Sequence, residues 1–250
     1  MTGQPVPILI GETHLARYLK ATRAPSYSLL FLLPLLVAYE GLALLINVHH
    51  TIEVRNGADV ILQEFLRVLN VDNLPLAIVL VTIVIVGALA THMRVGTRLE
   101  PQYFPAMFLE SCVWALVLGS VSRRLVGIFL SSPSVPITDG LWTKIMLYLG
   151  AGVYEELVFR VLLVSLFLYA LRHSVGLGST CASLLAMIFA SLLFSGFHHV
   201  GVLGEPFEVP VFMFRFFAGL VLSALYVTRG FGITAWAHSL YDLFHLVGWT

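Results

Sequence analysis

Glu155, Glu156 and Arg160 stand in the stretch YEELVFR, at the middle of an apolar run, LWTKIMLYLGAGVYEELVFRVLLVSLFLYAL, long enough to cross a bilayer. Ionisable groups in such a run cost about 2.5 to 3.5 kcal/mol each on insertion scales, so a cluster of them asks for a functional explanation. On a helix Glu156 and Arg160 are i and i+4 with the acid on the N-terminal side, the favourable order for an ion pair. At about 100° per residue Glu155 points away from that pair and is free to face another helix, where a partly desolvated carboxylate suits a general base. A purely structural ion triad tying helices together is the competing account.

Two further clusters fall on separate apolar runs. LLFSGFHHVG places Phe194 and His198 at i and i+4, with His199 adjacent and glycines on both sides. WAHSLYDLFHLVG places His238, Asp242 and His245 at i, i+4 and i+7, on one helical stripe. Either cluster alone reads equally well as an interfacial or a buried, satisfied histidine. Together, Glu155, His198, His238 and Asp242 come from three spans that short connections could bring into contact. A carboxylate and a histidine can hold and deprotonate a water, while a second histidine with a neighbour can stabilise the oxyanion of a tetrahedral intermediate. The reaction class this suggests is hydrolysis of an amide within the membrane. Ser195 and Ser239 adjoin the histidines, but neither sits in a G-x-S-x-G elbow.

The elements that must position these groups are membrane spans. The 250 residues are 58% hydrophobic and 11% charged, with a mean hydropathy of +0.91, which implies an all-α polytopic bundle. Runs of the roughly 20 residues that cross the hydrocarbon core occur at 27–47, 74–93, 103–122, 141–170, 178–198, 210–228 and 231–249, giving about seven spans within a range of six to eight. The segment 59–70 reads as an interfacial amphipathic helix, and 125–132 could prolong the third span. The expected organisation is a cytoplasmic tail over 1–26, an N-terminal membrane region over 27–140 and a catalytic core over 141–250. The tail lacks the h-region and cleavage site of a signal peptide, so the first span is expected to stay as an anchor.

Lys plus Arg equals Asp plus Glu at 14 each, which leaves no basic face for nucleic acid. With the N-terminus inside, Arg17, Lys20, Arg23, Arg94, Arg98, Arg172 and Arg229 are cytoplasmic and Arg55, Arg67, Arg123, Arg124 and Lys144 are outside, a modest bias in the expected direction. Glu40 and Glu110 are single carboxylates in apolar runs and are expected to hydrogen-bond between helices. Arg215 is expected to snorkel towards headgroups as an anchor. His14, His49, His50, His92 and His173 fall in polar tails, connections or span ends and need no special role. Cys112 and Cys181 lie in apolar runs and read as small hydrophobes.

The three clusters in order, EELVFR, FSGFH and HSLYD, resemble the CPBP family of CAAX proteases and bacteriocin-processing enzymes, whose pattern is E-E-x-x-x-R, F-x-x-x-H and H-x-x-x-N. The resemblance covers about 141–249. It implies an intramembrane endopeptidase of the glutamate type without an essential metal, with Glu155 and His198 activating water, His238 and residue 242 forming the oxyanion hole, and Glu156, Arg160 and Phe194 in support. The chain departs from the pattern in carrying Asp242 for Asn. An ionised carboxylate cannot donate to an oxyanion, so either Asp242 is held protonated by burial or it orients His238 and the hole is built otherwise. His198 closes its span while His238 lies seven residues into its own, so straight rods do not bring them level. The expected partners are the lipid bilayer and a membrane-associated or lipid-anchored peptide, and the expected setting is a bacterial inner membrane. The alternatives are a zinc peptidase using His198, His238, Asp242 and Glu155, a non-catalytic binding or immunity protein, and a proton-coupled transporter using Glu40, Glu110 and Glu155 as relay carboxylates.

Overall fold

The structure, a computed structural model, describes residues 13–48, 53–70, 76–95, 99–129, 140–201 and 204–248. The tail before residue 13, His49, His50, Arg98 and the first two residues of the 74–93 run lie outside them. Helix α1 (His14–Thr22) is capped by the Thr13 hydroxyl, which accepts from the Ala16 N–H at 3.2 Å. Helix α2 (Pro25–Asn47) starts on a proline, whose missing N–H is one of the orphans of a helix start. Helices α3 (Gly57–Val68), α4 (Leu76–Val95) and α5 (Tyr103–Phe129) follow. Helix α6 (Leu141–Gly150) continues without a break through π-helical turns at Ala151–Glu155 and Leu157–Val164 into α7 (Ser165–His173). Helices α8 (Ser179–Phe197), α9 (Val209–Arg229) and α10 (Phe231–Leu246) complete the bundle. Among the described residues there is no strand, and the all-α class is borne out.

Among the described residues, four helices are long and apolar enough to cross a membrane, Pro25–Asn47, Tyr103–Val121, Ser179–Phe197 and Val209–Arg229. The expected count of about seven is not reached on that measure. The 74–93 run forms the 20-residue α4, α10 has 16 residues, and the 141–170 run is one continuous helix with π-helical turns around its charges. The third span is prolonged as expected, to Phe129.

The core is built on α2. Leu35, Leu36 and Tyr39 pack with Met146, Val153 and Tyr154 of the α6 helix and its π-helical continuation. Nearer the start of α2, Tyr27 and Phe31 pack with Met107, Leu225 and Ile233. Leu44, Leu45, Ile83, Leu109, Leu184 and Leu193 point outwards, as lipid-facing side chains must in a solvent no more polar than they are. Helix α10 lies against the π-helical segment at Gly152, where a Cβ would come within 2.0 Å of Ser239 Oγ and 2.3 Å of the Ala235 carbonyl oxygen. Only glycine permits that approach, which sets the helices bearing Glu155 and His238 side by side.

Glu110 is an interhelical partner, as expected, but its counterpart is Arg229, which the sequence reading left among the cytoplasmic charges. The Arg229 guanidinium is buried and donates to both Glu110 oxygens at 2.6 and 2.8 Å, to Thr22 Oγ1 at 2.8 Å and to the Leu19 carbonyl at 3.1 Å. The Tyr18 hydroxyl, held above its ordinary pKa by burial and by Glu110, donates to the same carboxylate at 2.6 Å. The cluster joins α1, α5 and α9 at the end of the bundle away from Asn47 and His198. Glu110→Ala is expected to destabilise the protein by about 3–5 kcal/mol, because it leaves the guanidinium buried and uncompensated. Equilibrium unfolding in detergent checks this, and Arg229→Met added to that variant should recover part of the loss.

Candidate active site

The helix carrying YEELVFR is not a regular α-helix. Its wider π-helical turns, a form that recurs at functional sites, bring both adjacent carboxylates inside: Glu155, Glu156 and Arg160 are 8%, 0% and 1% exposed. The expected Glu156–Arg160 pair is present, with Nη1 2.9 Å from Oε1. The same Oε1 is 2.7 Å from His238 Nδ1, so Glu156 links the EELVFR cluster directly to α10. Among the described residues Arg160 Nε and Nη2 have no hydrogen-bond partner, and the guanidinium carbon lies 4.4 Å from the centroid of the Phe194 ring.

Glu155 faces away from that pair, as the helical geometry predicts, towards α8 and the segment before α3. Its Oε2 is 3.9 Å from His198 Nε2, and its Oε1 accepts from Asn56 Nδ2 at 3.0 Å. His198, the C-cap of α8, has Nδ1 2.9 Å from the Phe194 carbonyl oxygen. A carbonyl only accepts, so Nδ1 carries the proton and the neutral ring presents the Nε2 lone pair to Glu155. The depth mismatch between His198 and His238 is bridged by Phe194, whose ring centroid is 5.0 Å from the first imidazole and 6.2 Å from the second.

His238 has a carboxylate off each ring nitrogen, with Glu156 at Nδ1 and Asp242 Oδ2 3.6 Å from Nε2, an arrangement that fits two N–H donors. The structure therefore brings together all of Glu155, Glu156, Arg160, Phe194, His198, His238 and Asp242. His245 is exposed. His199 turns instead to the Glu205 carbonyl, 3.2 Å from its Nδ1, and packs on Phe207.

Arg215, expected as a free anchor, forms a two-pronged pair with Glu205, each nitrogen 2.8 Å from its oxygen. The pair ties α9 to the connection after His198, whose carbonyl also accepts from the Glu205 N–H at 2.9 Å. The hydrogen bonds from Arg215 hold the Glu205 carboxyl below its ordinary pKa. A depressed carboxyl contributes stability that is fully present above the free-glutamate value of about 4.3 and is lost as the pH falls through the lower folded value. The Tm gap between the wild-type chain and Glu205→Gln should accordingly be open at neutral pH and close on acidification below about 4.

Sequence reasoning did not find Asn56, nor the partners of Glu40. Tyr154 donates its hydroxyl to Glu40 Oε1, and Arg55 Nη1 reaches Glu40 Oε2 at 3.2 Å and Asp59 Oδ2 at 3.0 Å. The only sequence signal for these groups is the helix-start chemistry of R-N-G-A-D at 55–59. For the zinc alternative, no group of three or more His, Cys, Asp or Glu side chains among the described residues is arranged to hold a metal ion. Residues 137–244 match the family model described as Type II CAAX prenyl endopeptidase Rce1-like. No curated protein and no solved structure matches the chain.

Proposed function

We propose that this chain, whose residues 137–244 match the family model described as Type II CAAX prenyl endopeptidase Rce1-like, is a CAAX-type intramembrane endopeptidase, and that hydrolysis proceeds through a water activated by Glu155 and His198. The observation that carries this reading is the pairing of Glu155 Oε2 with His198 Nε2 at 3.9 Å. Two acceptors at that separation can both take a hydrogen bond of about 2.8 Å from one water oxygen. The water gives a proton to this pair as its oxygen bonds to the scissile carbonyl carbon. The resulting oxyanion is met by His238 Nε2–H. Collapse of the tetrahedral intermediate breaks the C–N bond, and the proton held by the pair passes to the leaving amine.

Asp242, 3.6 Å from His238 Nε2, in this scheme acts on the imidazole by its charge while Glu156 orients it at Nδ1, which leaves Nε2–H for the oxyanion. Arg160 neutralises Glu156, and Phe194 spaces the two histidines. No metal takes part. The substrate is a peptide bond of a membrane-associated or lipid-anchored chain, and the setting is a bacterial inner membrane.

The test is a map of membrane-protein N- and C-termini by peptide mass spectrometry in a deletion strain restored with the wild-type gene or with Glu155→Gln. A terminus present with the wild type and absent with Glu155→Gln supports the reading and identifies the substrate. Identical termini from equally abundant, folded proteins overturn it.

A further inference from the structure

We infer that Asn56 is a positioning residue of this site, its side-chain amide fixing which oxygen of Glu155 faces His198; the inference rests on Glu155 acting as the base proposed above. Asn56 lies outside the matched region, 99 residues before Glu155, in the short segment that leads into α3. It is 7% exposed. Its orientation follows from the first turn of α3: the side-chain Oδ1 accepts from the Ala58 N–H at 2.9 Å, which only the oxygen of the amide can do. Nδ2 is then the atom that must meet Glu155, and it donates to Oε1 at 3.0 Å. With Oε1 so engaged, Oε2 is left at 3.9 Å from His198 Nε2.

The backbone holds Asn56 as firmly as the cap does. Its N–H donates to the Tyr39 hydroxyl at 3.2 Å, and that hydroxyl donates to Asp59 Oδ2 at 2.7 Å. Asp59 in turn holds Arg55, the residue before Asn56, at 3.0 Å. The helix that carries Glu155 reaches this framework through Gly150, where a Cβ would stand 2.9 Å from Asn56 Cβ and 2.5 Å from Tyr39 Cε2. Any larger residue there would push Asn56 and the Glu155 helix apart.

Residue type carries the argument furthest. As a helix cap, Asn is equalled by Asp and Ser. Of the short capping side chains, only the amide combines an oxygen for the Ala58 N–H with an N–H for a carboxylate. Asn56→Ser keeps the cap, adds no charge beside Glu155 and is too short to carry a donor to that carboxylate. A capping role alone predicts that it is tolerated, whereas a positioning role predicts a loss of turnover.

The experiment uses the full chain in nanodiscs, with an internally quenched peptide bearing a farnesylated CAAX end as the probe, alongside the terminus map in the restored strain. Asn56→Ser is expected to lower kcat at least tenfold, with KM unchanged and Tm close to wild type. Asn56→Thr, a second uncharged cap, should show the same fall and serves if the Ser variant does not fold. Wild-type kcat in either folded variant overturns the Asn56 assignment and leaves the peptidase reading intact. Loss of Glu155-dependent cleavage in the wild type, with both probe and termini, overturns the peptidase reading and this inference with it.

Discussion

Glu155→Gln is expected to lower kcat by about 10²- to 10⁴-fold, the range a positioned general base supplies, and His198→Ala is expected to do nearly as much. The double variant should lose no more than the worse of the two, because groups that act on one water fail together and their effects do not multiply. The substituted glutamine keeps the size of the glutamate and retains an oxygen for the Asn56 amide, so neither folding nor KM should change. Single-turnover cleavage of the quenched peptide separates chemistry from binding and from product release. Losses that multiply in the double variant would mean that the two residues act at separate steps, and a shared water would be ruled out. A variant of Glu40 or Glu110 offers the contrast: both carboxylates are engaged, by Tyr154 and Arg55 in one case and by Arg229 and Tyr18 in the other, so their loss is expected to lower stability before turnover.

The groups of the candidate site were legible in the sequence because each is a polar residue that an apolar span does not tolerate without a reason. Glu155, His198 and His238 stand out by type alone, and the i, i+4 spacing of Glu156 with Arg160 was enough to pair them. Their shared environment was less legible. The π-helical turns at 151–155 and 157–164 leave no periodic mark in a stretch where nearly every side chain is apolar, so the inward turn of two adjacent carboxylates could not be read. Arg215 and Arg229 looked like span-end cations because their acidic partners lie on other elements, 10 and 119 residues away. Asn56 was invisible for the same reason: a neutral residue in a polar connection carries no anomaly until the fold brings Glu155 to it.

Arg160→Ala is expected to destabilise the fold by about 3–5 kcal/mol, the effect of removing one partner from a buried ion pair. Arg160 is among the largest fully buried side chains, and Glu156, its partner, is 0% exposed, so water does not replace the lost guanidinium. The change also strips the cation from the face of Phe194, the ring that separates His198 from His238. Adding Glu156→Gln removes the stranded charge, and Arg160→Met in place of Ala refills the volume. The pair of changes Glu156→Gln with Arg160→Met should therefore regain most of the lost stability, since apolar replacement of a buried pair is often neutral or favourable. Activity should not return with it. His238 Nδ1 would have lost the charge of the carboxylate that sits 2.7 Å away, and the substituted glutamine no longer holds the doubly protonated ring that keeps an N–H at Nε2 for the oxyanion. Unfolding measured beside turnover separates the two roles: a double variant that is both stable and active would show that the ion pair only holds the helices together, whereas stability without turnover assigns it the orientation of His238.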